Sequence, residues 1–233
     1  MKRTATQVLI FSLAFFVFFI GPPFLGQQFA LYSLMKNGDV FDLLTPLALI
    51  PLYWILFRSV EKESRCWCGL VAFLVLAALW VEGQGMHLSA NSIGHLVEKM
   101  KGTDAYALTY FYDEVLSHYI WHLGIIGLSA LLIFLSWRSQ AGEKLALLWL
   151  IILSGVIHGF TLFMIVIEGG TAPVGIPFAV IAAVFGLVWG RKKLGQQPLL
   201  LFFTVSYAIA TVLFAGWGIY WGGLPQFSEL GII

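Results

Sequence analysis

Charged side chains are scarce in this chain. Asp, Glu, Lys and Arg together make up 11% of its 233 residues, where an ordinary soluble domain carries about 25%. That deficit, with 60% hydrophobic residues and a mean hydropathy of +0.89, excludes a soluble globular domain and points to an integral membrane protein. A net charge of +1 leaves no basic face to neutralise phosphates, so nucleic acid is excluded as a partner. Cysteine is nearly absent. Cys66 and Cys68 are the two present; they stand one residue apart, a spacing that bridges poorly, and they read as inert thiols. No P-loop, GxSxG, HExxH or Rossmann pattern occurs, and the last apolar segment has no lysine for a Schiff base. Linkers and internal repeats are also missing, which leaves a single domain.

What the chain does have is apolar length. A membrane span needs ~20 mostly apolar residues. Seven segments meet that standard, at about 7–25, 40–57, 67–96, 112–136, 143–167, 174–190 and 198–221. They predict an all-α, polytopic bundle of seven transmembrane helices over residues 1–233. The first segment follows Lys2 and Arg3 as a signal peptide would. It lacks a small-residue cleavage site, however, and Gly21-Pro22-Pro23 ends it with a rigid break, so it reads as a retained helix.

Basic residues set the expected orientation. With the N-terminus inside, the cytoplasmic side holds Lys2, Arg3, Arg58, Lys62, Arg65, Arg138, Lys144, Arg191, Lys192 and Lys193. The other side holds only Lys36, Lys99 and Lys101, a division of ten against three. The expectation is N-in and C-out, in a multi-pass protein of a bacterial inner membrane. The loops at 58–66 and 137–143 then face the cytoplasm and 97–111 faces outward.

Against this apolar background, all five histidines lie between residues 87 and 158. The cluster reads Glu82, His87, Asn91, His95, then Asp113, Glu114, His118, His122, then His158. A charged group at membrane depth costs roughly 2.5–3.5 kcal/mol on insertion scales, so such a concentration points to function. Counting 1.5 Å per residue from the expected helix starts places Glu82 and His158 each roughly 22 Å above the cytoplasmic boundary. Glu114, His118 and His122 fall in the same outer half. Steps of four place Glu114, His118 and His122 along one stripe, and His87, Asn91 and His95 along another. Asp113 reads either as an acid that supports a neighbouring ligand or as a cap on the fourth helix. Glu168, in a Gly-Gly turn, reads as an interfacial acid that could face the same vestibule.

Imidazole suits zinc, iron and copper, while carboxylates suit harder ions and can bridge two metals. The expected ligands are Glu82, His87, His95, Glu114, His118, His122 and His158, with Asn91 and Asp113 supporting them and Glu82 or Glu114 moving protons. This count exceeds the needs of one tetrahedral zinc and fits a dinuclear site or a single metal with acid/base partners. His118-x-x-x-His122 with Asp113 resembles part of the site of alkaline-ceramidase and adiponectin-receptor type zinc hydrolases. Here the pair stands on the fourth span instead of the last, and Ser92 precedes His95 by three residues instead of four, so the chain departs from that pattern.

The leading expectation is a metal-dependent membrane enzyme, with iron or zinc, that oxidises or hydrolyses a lipid or another hydrophobic molecule. The alternatives are b-type haem electron transfer, with histidines as axial ligands, and transport of metal ions or protons.

Overall fold

The computed structural model describes residues 2–61, 67–139 and 147–232. Lys62, Arg65, Cys66 and Lys144, which enter the orientation and thiol readings, lie outside the described residues, as do parts of the 58–66 and 137–143 loops. The described chain is all-helical: α1 Lys2–Ile20, α2 Asn37–Glu61, α3 Trp67–Val97, α4 Asp104–Tyr110, a π-helical turn Phe111–Ser117, α5 His118–Arg138, α6 Leu148–Glu168, α7 Ala172–Val188 and α8 Pro198–Trp221. Among these residues the nearest thing to a sheet is one antiparallel bridge between Gln28 and Lys36.

Six helical stretches are long and apolar enough to cross a membrane: α1, α2, α3, the run Asp104–Arg138, α6 and α8. The seventh expected segment forms α7, which has 17 residues. The breaks follow local chemistry. Gly21, Pro22 and Pro23 stop α1 and turn it through a short 3-10 helix at Pro22–Phe24. Asp39 Oδ2 accepts from the backbone N–H of Lys36 at 2.8 Å and steadies the entry to α2. Thr103 caps α4, its hydroxyl accepting from Tyr106 N.

That cap corrects one expectation. The helix expected to begin near residue 112 begins at Asp104, so Asp113 is not a cap. It sits about two and a half turns inside, in the π-helical segment, where the wider backbone ring re-aims the following side chains.

Two glycines bring α3 and α5 close together. A Cβ at Gly124 would lie 2.7 Å from the backbone N of Trp80, and one at Gly83 would lie 2.8 Å from Ser117 O. Each glycine therefore admits the backbone of the other helix beside a tryptophan, the small-residue contact that membrane helices use in place of a hydrophobic driving force. The core beneath is aromatic. Phe11, Phe15, Tyr53, Trp80, Phe202, Phe203 and Tyr207 are fully buried, and Tyr53 and Ser129 share a hydrogen bond of 3.2 Å. At the end of α8, Gly222 takes a left-handed conformation with φ 64°. The chain then turns back, so that Trp217 Nε1 donates to Pro225 O at 3.0 Å.

Candidate functional site

The ends of α1 and α6, the second half of α3, the start of α2 and the π-helical turn with the first residues of α5 meet towards one end of the bundle. They enclose an open cavity of about 230 Å³. Its polar lining comes from Asp42 on α2, Gln84 and His87 on α3, Glu114 and His118 on the helix that follows, and Glu168 at the end of α6. Its apolar lining includes Phe19, Ile20, Pro22, Met164 and Ile165. Stacking of Phe19 on Trp121, at 5.3 Å between centroids, and on Trp80, at 6.1 Å, closes the aromatic side.

His118 and His87 face each other with ring centroids 4.8 Å apart. His118 Nδ1 lies 3.1 Å from the carbonyl oxygen of Gly169. A carbonyl only accepts, so this nitrogen carries the proton and Nε2 keeps its lone pair. Metal-binding histidines are held in that way. His87 Nδ1 stands 2.9 Å from Asp113 Oδ1, an electrostatic contact and not an aligned hydrogen bond. Asp113 also receives, on its backbone carbonyl, the hydroxyl of Ser117. Glu168 has a double attachment: its Oε2 accepts from the N–H groups of Phe227 and Ser228, at 2.8 and 3.2 Å, and its carbonyl accepts from Gln226 Nε2 at 2.6 Å. The C-terminal segment thus fixes one acidic wall of the cavity.

The expected cluster is divided, and helix geometry explains how. His87, Glu114 and His118 come together. His122 does not reach the cavity lining; it is fully buried, stacked on Trp121 at 3.6 Å, with Nδ1 donating to His118 O at 2.8 Å and Nε2 without a partner. A step of four overshoots one turn by roughly 40°, enough to carry His122 off the stripe. The same drift moves Asn91 and His95 into neighbouring cavities, where Lys36 Nζ donates to His95 Nε2 at 3.0 Å.

Two expected ligands stand elsewhere. Glu82 is exposed, because five residues rotate it roughly 140° away from His87. His158 lies among Phe11, Phe15, Phe202 and Phe203, and its Nδ1 is 2.6 Å from Ser206 Oγ. The depth count had started its helix near residue 143, whereas α6 starts at Leu148. His158 therefore sits roughly 15 Å along a helix of roughly 31 Å, at mid-depth.

Sequence reasoning missed Asp42 and Gln84. Gln84 had a signal: it lies three residues before His87 and so shares its face. Asp42 had none beyond being an acid in an apolar run. Gly169 also serves the site, since a Cβ there would come 3.0 Å from His122 Cε1 and 3.5 Å from His118 Nδ1. Among the described residues, no three His, Cys, Asp or Glu side chains converge tightly enough to hold one metal ion as they stand. The donor chemistry is present in His87, His118 and Glu114, with Asp42 and Glu168 on the same walls. No protein-family model, no curated protein and no solved structure matches this chain.

Proposed function

We propose that the chain crosses the membrane seven times, N-in and C-out, and that the cavity is the site of a metal-dependent enzyme. Its substrate would be a lipid or another hydrophobic molecule, and its reaction hydrolysis or oxidation. The seventh crossing is α7, whose 17 residues span about 26 Å, close to the ~30 Å hydrocarbon layer. The ten-to-three division of basic residues supports the orientation. Cysteines placed singly at Ser139 and Thr103, in a chain without Cys66 and Cys68, test it. An impermeant reagent should label position 103 from outside and not 139; the reverse overturns the topology.

One observation carries the enzymatic reading: three carboxylates and two imidazoles line a single cleft that has no Lys or Arg on its walls among the described residues. Such a donor set suits a cation. The cleft also has apolar walls and an open mouth, as a site for a membrane-dissolved substrate requires. Stacked Phe19, Trp80 and Trp121 on one side, and the phenylalanine cage around His158 deeper in, favour a closed site over a path through the bundle.

In this reading His118, held through Nδ1, offers Nε2, and His87 and Glu114 are its nearest co-ligands. Asp113 positions His87. Glu114, half-buried at the edge of the cleft, is placed to take and return a proton. A bound metal would polarise a substrate oxygen or activate water or dioxygen.

Metal analysis of the purified protein tests the proposal. Zinc would indicate hydrolysis and paired iron oxidation. A preparation that binds neither, or one with the intense absorption of haem, overturns it.

A further inference from the structure

Gln84 is the most buried of the polar side chains that line the cleft. It is 3% exposed, and its Oε1 accepts from Trp80 Nε1 at 3.3 Å. That bond fixes which end of the amide is which, because the indole N–H can only donate. The amide nitrogen is left without a hydrogen-bond partner among the described residues, on a residue that lines the cavity. An amide donor on the wall of an open cavity takes its acceptor from whatever occupies that space, water or ligand.

The rest of the lining restricts that acceptor. Asp42, Glu114 and Glu168 face the same cavity. The nearby cation Lys36 lines a neighbouring cavity and is engaged with His95. With the single divalent ion that His87, His118 and Glu114 would hold, two of three carboxylate charges are offset, so a phosphate head would still meet a negative wall. An uncharged oxygen meets no such opposition and can take the Gln84 N–H.

We propose that the substrate is a phosphate-free amphiphile whose uncharged head presents a carbonyl or hydroxyl oxygen to Gln84 Nε2, with its chain along Phe19, Ile20, Met164 and Ile165. This rests on the enzymatic reading of the cleft and names the substrate class. Gln84 acts as a specificity-determining residue.

A monoacylglycerol carrying a photoreactive group in its chain tests this on the full-length protein in lipid vesicles. Crosslinks should map to Phe19–Pro23 and Met164–Ile165, and excess monolaurin should compete while lauryl phosphate does not. Gln84→Glu keeps an acceptor for Trp80 but exchanges the free N–H for a carboxylate oxygen. It should lower specific crosslinking about tenfold, the loss expected for one buried hydrogen bond of ~1.4 kcal/mol. If that variant does not fold, Gln84→Met, which is uncharged and close in volume, carries the same test. The proposal is overturned if lauryl phosphate competes as well as monolaurin, if crosslinks avoid these segments, or if the folded variant labels like the parent. Metal content of the same preparations reports separately on the enzymatic reading, so either can fail alone.

Discussion

Two histidines in this bundle have nearly the same local chemistry and opposite surroundings. His118 and His158 each tie Nδ1 to an oxygen, and Nε2 of His158 is buried without a partner. His118 opens onto a cavity with His87, Glu114 and Glu168. His158 is fully buried, and phenylalanines from α1 and α8 cover its ring. Imidazole within a membrane helix is therefore an incomplete sign of function. What separates the two is whether carboxylates and open space share the same end of the bundle. The cage around His158 is a packing solution, in which a polar ring is kept because Ser206 satisfies one nitrogen and aromatic faces surround the rest.

The largest expected effect breaks this comparison if it fails. His118→Ala should cost the protein its bound metal, by a factor of about 100 or more in affinity, since removal of even an outer partner of a ligand costs about 10- to 100-fold. His158→Ala should leave affinity within about twofold and instead lower thermal stability, because the cage loses a ring and Ser206 loses its partner. Equal metal loss in both variants would return His158 to the site and abolish the distinction.

The next effect sharpens the open end. Asp113→Asn keeps the shape beside His87 but removes the charge 2.9 Å from Nδ1. If Asp113 positions a ligand, metal affinity should fall about 10-fold, within the range for outer partners, with little change in melting temperature. A large drop in melting temperature with unchanged affinity would make Asp113 a packing residue. Gly169→Ala should follow, with a smaller effect. Its methyl group would stand 3.0 Å from His122 Cε1 and 2.8 Å from Ile165 O, a crowding expected to cost about 1 kcal/mol or more. Because His118 is also within reach, metal affinity should weaken alongside stability. Unchanged affinity would place the crowding wholly on His122.

The same contrast shows what the residues could and could not announce. The helices were legible because ~20-residue apolar runs leave a membrane chain few other choices. Gly21-Pro22-Pro23 also marked the end of α1. Depth was less legible, since a five-residue error in the start of α6 moves His158 roughly 8 Å along the axis. Facing was legible only over short steps. Glu114 and His118 share a wall as a step of four implies, but His122, one step further, does not. Glu82 attracted attention by its charge although rotation carries it outward, while neutral Gln84, on the correct face, went unnoticed. The contributions of Asp42 and Glu168 depend on which helices pack together, and no spacing within one segment encodes that.

The smallest effect tests the closed core alone. Ser206 Oγ is 2.6 Å from His158 Nδ1, and both residues are fully buried. Ser206→Ala deletes one hydroxyl and leaves that nitrogen without its partner, while the phenylalanine cage stays intact. An unpaired buried polar atom costs about 1–3 kcal/mol. The lower end is expected, because the volume change is small and the imidazole can still change tautomer. The variant should therefore melt a few degrees lower, with metal content, probe crosslinking at Phe19 and cleft chemistry unchanged. Chemical denaturation and metal analysis on the same preparation separate these readouts. If stability holds while metal is lost, the hydroxyl communicates with the open end, and the two regions are parts of one site.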